Sequence, residues 1–334
     1  MDASTPVSEQ RRHPSKLELA AGALLLAAVI LHVAAMFPDY FSGGSPASIA
    51  SQADQAALYA VVAAAWATAL GFGLAGPRWV RIAAAFAVGA ALGELGFRVS
   101  DLGQVFRYGT GQAGPGLWIM TAAWVVGAAG AATAVLAVRS NRQPALDDPP
   151  ASGFNRWATL AGVGALSTAT AGFFLPAWDH YTGVSAVTGR AVSFNLGNAF
   201  AEPWQIVIGN VLSALAIAAI PILAALFMWK DRRAAVAATG AVLTMLGAQF
   251  ASAVIQVDQA VPPSIAGLSG PQARQLGFTL SMKLTGWFAL DTVLALAVLV
   301  TTVVVAAAKT SADENLTTLS RGAVDAPRPA YPVW

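Results

Sequence analysis

The chain has 334 residues, 56% of them hydrophobic and only 11% charged, with a formal net charge of +2. That balance, with a mean hydropathy of +0.60, excludes an ordinary soluble protein, and the lack of cysteine excludes disulfides, thiolate metal ligands and a catalytic thiol. The small positive excess does not point to nucleic acid, because it is gathered beside long apolar runs, where Lys and Arg set membrane orientation.

About 20 apolar residues span a bilayer, and a helix satisfies the backbone there. Eight runs meet that condition: Leu17–Phe37, Gln55–Ala75, Trp79–Val99, Gly116–Val138, Trp157–Leu175, Trp204–Trp229, Ala234–Gln256 and Phe278–Ala308. The expected fold is therefore an all-α integral membrane protein with eight transmembrane helices, and the bilayer is its first partner. Residues 1–16 read as a disordered arm, 139–156 as a Pro- and Asp-rich linker, and 309–334 as a disordered tail. The first run follows Arg11, Arg12 and Lys16, as a signal peptide would. It is about twice as long as a signal core and no convincing small-x-small cleavage site precedes Pro38, so a retained span is expected.

Basic residues cluster at alternate junctions: the N-terminal arm, Arg78 and Arg81, Arg139 to Arg156, Lys230 to Arg233, and the tail. Of the 19 Lys and Arg residues only Arg98, Arg107, Arg190, Arg274 and Lys283 fall on the other side. This asymmetry places both termini in the cytoplasm of a multi-pass cell-membrane protein.

Four spans return the chain to its starting side, so a duplicated unit would repeat in one orientation. Phe37-Pro38-Asp39-Tyr40 after the first span matches Pro176-Ala177-Trp178-Asp179-His180-Tyr181 after the fifth. Leu92-Gly93 matches Leu246-Gly247, and Leu117/Trp124 matches Leu280/Trp287. The expected arrangement is two same-orientation four-helix bundles, residues 17–138 and 157–308. Gly89, Gly93 and Gly96 give span three a small face for close helix packing, and Pro221 should kink span six.

Ionisable groups in a bilayer cost about 2.5–3.5 kcal/mol each on insertion scales, so each needs a partner or a purpose. Glu94 lies roughly 22 Å from the inner end of span three, with Arg98 one turn further and Asp101 continuing the stripe. They read either as a polar wall or as a self-neutralising pair whose Arg98 snorkels to the surface. In span eight, Lys283 reaches the outer interface or meets Glu94. Asp291 falls near the midplane without a cation on its helix. It reads as a protonation site, or as a neutral acid bonded to Asn210, Gln249 or Thr285. His32 sits near the outer end of span one and reads as interfacial. On the outer face, Asp39, Tyr40, Trp178, Asp179, His180 and Tyr181 are the candidates. Three histidines, only one clearly within a span, favour neither a metal site nor haem, and no cofactor is expected.

No phosphate-binding Gly-x-x-x-x-Gly-Lys loop, His-Glu-x-x-His or Gly-x-Ser-x-Gly pattern occurs. Three functions stay open. One is a small-solute or proton-linked transporter with a polar path between the halves. Another is a non-catalytic membrane subunit or assembly factor that docks a protein partner, or its own copies, through the outer loop 176–203. The third is an outer-face enzyme using Asp39, Asp179 and His180, for which three residues from two loops are slender grounds.

Overall fold

The computed structural model describes residues 14–41, 47–76, 79–109, 111, 113–140, 156–175, 178–195, 204–227, 233–257, 272, 275 and 277–307. Most of the predicted arm, linker and tail lie outside these residues. Eight long helices follow in order: α1 (Lys16–Ala35), α2 (Ala53–Leu74), α3 (Val80–Tyr108), α4 (Pro115–Ser140), α5 (Arg156–Phe174), α6 (Trp204–Phe227), α7 (Arg233–Gln256) and α8 (Gly286–Ala307). Seven are long and apolar enough to cross a membrane, which makes the chain a mostly helical multi-pass membrane protein. The exception is α5, whose Gly162, Gly164, Thr159, Ser167, Thr168 and Thr170 dilute its apolar residues.

Local chemistry explains the helix ends. A capping box starts α1: the Ser15 hydroxyl accepts the Glu18 N–H at 3.2 Å and the Glu18 carboxylate accepts the Ser15 N–H at 2.6 Å. Gly109, at φ 92°, ends α3 in a conformation that costs a side chain dearly. Pro221 lies inside α6, which continues through it. In α7, residues Leu243–Gly247 form a π-helical turn, a local widening that often marks functional positions.

Short strands accompany the helices at one end of the bundle. After α1 the chain forms β1 (Asp39–Phe41), paired antiparallel with β2 (Ala47–Ser48). After α5 it forms β3 (Asp179–Ser185), which pairs with β4 (Ala191–Asn195) and with β5 (Phe278–Leu284) in the order β4-β3-β5. The eighth predicted span thus divides into a strand and the helix α8. In β5, apolar Leu280, Met282 and Leu284 alternate with Thr279, Ser281 and Lys283, the period of a strand with one covered face. The proposed match of Leu117/Trp124 with Leu280/Trp287 fails for the same reason, because Leu117 is helical and Leu280 is in β5.

Helix α3 is the most buried of the membrane-length helices and packs against α2, α4, α6 and α7. Other packed pairs are α1 with α2 and α4, α5 with α6 and α8, α7 with α6 and α8, and α2 with the second half of α7. The predicted glycine face accounts for the closeness of α3 and α7. A Cβ on Gly89 would overlap the Ala237 carbonyl, and one on Gly93 would stand 2.6 Å from the Ala241 oxygen. Gly96 faces Ser213 of α6, and Gly240 rests on the Phe86 backbone from the other side.

Gly93→Ala should lower the thermal midpoint of the detergent-purified protein, since overpacking costs about 1–3 kcal/mol. Gly22→Ala, which meets open space on α1, should leave the midpoint unchanged or raise it. Equal effects from the two would show that the α3–α7 contact is not tight.

Candidate functional site

The polar stripe of α3 lies opposite its glycine face and enters a closed network. Glu94 is fully buried and Arg98 is only 1% exposed, so Arg98 does not snorkel to the surface as one sequence reading had it. Its Nε stands 3.3 Å from a Glu94 oxygen and its Nη2 3.2 Å from Asp101 Oδ2. Both are ion-pair contacts without hydrogen-bond alignment, whereas Nη1 donates to Tyr40 Oη at 2.9 Å. The guanidinium also lies 5.2 Å from the centre of the Tyr59 ring.

Asp101 ends the network, 9% exposed. Its Oδ2 accepts the Tyr40 hydroxyl at 2.6 Å and the Tyr59 hydroxyl at 3.1 Å. Tyr40, predicted as an outer-face residue, is instead buried over this end of α3. Backbone bonds fix it there: Gly114 N–H donates to the Tyr40 carbonyl at 3.0 Å, and β2 pairs with β1. Gly114 packs so closely on Asp39 that a side chain would collide with its carbonyl.

The other end of the network is His32, which is fully buried and not interfacial. Its Nδ1 donates to the Ala28 carbonyl at 2.7 Å, a group that can only accept. Its Nε2 faces both Glu94 oxygens, at 3.0 and 3.1 Å. With Nδ1 already carrying a hydrogen, one further proton must lie between Nε2 and Glu94 for this contact to be a bond. Either imidazolium meets carboxylate, or neutral imidazole accepts from a carboxylic acid. In both arrangements the formal charges of His32, Glu94, Arg98 and Asp101 sum to zero. Trp66 Nε1 donates to the second Glu94 oxygen at 2.7 Å and so brings α2 into the same bond set.

Sequence reasoning found Glu94, Arg98 and Asp101 but missed His32, Trp66 and Tyr59. A signal existed for two of them. His32 falls on the stripe Ala21, Leu25, Ala28, Ala35, the buried face of α1. Trp66 is far from the span ends where the aromatic belt sits, and a buried indole needs an acceptor.

The other candidates do not join this network. Lys283 is an exposed β5 residue in register with His180, not a residue of a transmembrane helix. Asp291 stands on the second turn of α8, roughly 7 Å from its first residue and well short of the predicted midplane. It is fully buried, and neither carboxyl oxygen has a hydrogen-bond partner among the described residues, so no bond from Asn210, Gln249 or Thr285 reaches it. Asn210 and Gln249 are half-buried on α6 and α7. Trp178 packs against Phe174, Phe250 and Phe288, with ring centres 5.4–5.6 Å apart. Tyr181 is buried and stacks on Phe194. His180 lies on the sheet's other face, where Nδ1 donates to Asn195 Oδ1 at 2.6 Å and Ser193 donates to Nε2 at 3.0 Å. Asp39 is exposed and Asp179 half-buried. No cluster of three or more His, Cys, Asp or Glu at metal-binding spacing occurs among the described residues.

No protein-family model, curated protein or solved structure matches this chain.

Arg98→Gln should reduce the folded, monodisperse fraction on detergent size exclusion. Removing one member of a buried ion pair costs about 3–5 kcal/mol, because the carboxylates are left uncompensated. The double variant Arg98→Gln/Asp101→Asn should recover part of that loss. A second expectation concerns pH. Burial first, and then the nearby Asp101 carboxylate, hold the Tyr40 phenol well above its ordinary range, against the opposing pull of Arg98. Folding therefore favours the protonated phenol, and its contribution is intact below the ordinary value near 10 and lost as the pH rises beyond it. The thermal midpoint should fall above about pH 10, and less steeply in Tyr40→Phe.

Proposed function

We propose that this is a proton-linked transporter of a small solute, with the His32–Glu94 bond as its protonation site. The observation that carries this reading is the fixed Nδ1–H of His32, which obliges the facing Nε2 and Glu94 to hold one proton between them. A second proton would give imidazolium and carboxylic acid together, leaving one uncompensated buried positive charge and a weaker, no longer ionic bond between α1 and α3. Proton binding would thus be coupled to movement of α1, as alternating access requires. Asp101, the least buried member of the set, is the entry point for the proton, with the Tyr40 and Tyr59 hydroxyls beside it.

In this reading eight helices cross the cell membrane with both termini in the cytoplasm, as two same-orientation four-helix units. The helix contacts support that division, since α1 to α4 and α5 to α8 each close a ring of neighbours. The exits Asp39–Phe41 and Asp179–Ser185 both become strands and both bury their tyrosine. The polar set faces the interior of the first unit, and α3 meets α7 through glycine. Both observations support a solute path inside the first unit over one along the seam between the units.

One observation favours a second reading, a membrane subunit that docks a protein partner through residues 176–203. Val184 and Val187 are exposed beside the sheet, at 52% and 69%. Val187→Glu should then release a co-purifying partner without lowering the thermal midpoint.

Glu94→Gln tests the main reading, because glutamine can keep both the His32 and Trp66 bonds with a neutral imidazole. Vesicles holding the protein and a trapped pH dye should acidify when pooled small solutes are added outside. Glu94→Gln vesicles with equal folded protein should not. Acidification by the variant equal to that of the parent would overturn the assignment.

A further inference from the structure

Asp291 is a buried carboxyl without an answering charge. It lies on the buried stripe of α8 with Phe288, Ala295 and Val298, and neither of its oxygens has a hydrogen-bond partner among the described residues. Helices α5 to α8 contain no Lys, Arg or His apart from Arg156 and Arg233, each the first residue of its helix. Both start at the end of the bundle away from the sheet, roughly 20 Å along the axis from the level of Asp291.

Three further oxygens share its depth. Helix α5 runs into β3 and α8 leaves β5, and the pairing of Asp179 with Leu284 makes the two helices antiparallel. Phe173 stacks on Trp287 with ring centres 5.4 Å apart, which fixes their register. Asp291 lies roughly 6 Å inward of Trp287, and Thr170 and Ser167 lie roughly 4.5 and 9 Å inward of Phe173. The carboxyl therefore falls between the levels of two fully buried hydroxyls. Thr170 donates to the Leu166 carbonyl at 2.8 Å, which leaves its oxygen lone pairs free. Thr239, Thr292 and Thr301 bond back to their own helices in the same way, but Ser167 does not, and its oxygen has no partner among the described residues. On α6, Pro221 has no N–H, so the carbonyl of buried Ile217 loses its helix donor. Val163 and Ala225 share one buried cluster, and Ala171 and Ile217, two turns further toward the sheet, share another. The Ile217 carbonyl is thus level with Ala171, beside Thr170.

Four oxygens with lone pairs and no donor between them call for a positive charge. A proton joins only two oxygens, whereas a metal cation gathers several at once. Ligands that are all oxygen select a hard ion. A single carboxylate balances one positive charge, and a dication would leave an excess charge buried. A backbone carbonyl released inside a membrane helix suits that task. We propose that Asp291, Ser167, Thr170 and the Ile217 carbonyl form a site for one hard monovalent cation, sodium or potassium, between α5, α6 and α8. The site is separate from the His32–Glu94 bond, and ion binding there does not depend on proton-linked transport.

Binding of radioactive sodium, and of rubidium as a potassium tracer, to the detergent-purified full chain at fixed pH tests it. One ion per chain should bind saturably. Sodium or potassium chloride should also raise the thermal midpoint by a few degrees over choline chloride at equal ionic strength, because only the folded chain holds the ion. Asp291→Asn should lose both the binding and the salt-specific rise, while its midpoint in choline equals or exceeds that of the parent. Ser167→Ala should weaken binding roughly tenfold, the effect of one contact to a charged group, and it decides the matter if Asp291→Asn does not fold. Pro221→Ala, which returns a donor to the Ile217 carbonyl, should weaken binding without lowering the midpoint in choline. No saturable binding by the parent, or an affinity unchanged in Asp291→Asn or Ser167→Ala, would overturn the proposal. So would a midpoint that follows pH but is the same in all three salts, because Asp291 would then hold only a proton.

Discussion

A guanidinium removed from water has to be answered by negative charge within a few ångströms, and the arrangement of the first four helices follows from that need at Arg98. Glu94 and Asp101 supply the charge from the same helix, one turn before and three residues after. Each carboxylate then has lone pairs to spare in a medium without water. Glu94 shares a proton with His32 on α1 and accepts from Trp66 on α2, and Asp101 accepts from Tyr40 on β1 and Tyr59 on α2. One buried cation thereby sets the rotation of α1 and α2 about α3, because His32 must face α3 from α1, and Tyr59 and Trp66, seven residues apart, must face it from α2.

The same helix has a second face with the opposite chemistry. Gly89, Gly93 and Gly96 point roughly 140° away from the acidic stripe, and they let backbone meet backbone where α3 touches α6 and α7. Toward α1 and α2 the packing is decided by directional bonds, and toward α6 and α7 by the absence of side chains. In the proposed mechanism the directional bonds are the ones a proton would make and break, whereas the glycine seam offers nothing to titrate. Asp291 is the counter-example in the second half, a buried carboxyl with no such answering group among the described residues.

Much of the fold was legible from composition and periodicity. Long apolar runs without charge leave the helix as the main way to satisfy the backbone, so the helices fall close to where the runs lie. The acidic stripe on α3 was legible for a similar reason, since residues four and seven apart share a face. What stayed hidden were contacts between runs. Nothing local in α1 says that His32 meets a residue 62 positions later, although its place on the alanine stripe showed which way it faces. The strands were missed through a different confusion. Phe278 to Leu284 is apolar enough to be absorbed into the following helix, and its alternation is outweighed by its mean hydropathy. That error displaced Asp291 from the end of a helix to the middle of a longer one. Tyr40 and Tyr181 show the converse, because a shared exit pattern drew attention to both as outer-face residues, whereas both rings turn inward and are buried.

The three-stranded sheet also has a bearing on how the molecule is made. Its central strand, β3, can pair with β4 as a local hairpin as soon as both are synthesised, since their partners are only 15 residues apart at His180 and Asn195. Its other edge waits for β5, whose Lys283 pairs with the same His180. By then two further long helices, α6 and α7, have been produced. The second half of the protein is therefore left with an open strand edge while α6 and α7 are made, and the edge is closed only when β5 follows them. An edge exposed for that long is where a chaperone would be needed and where premature pairing between neighbouring chains would begin.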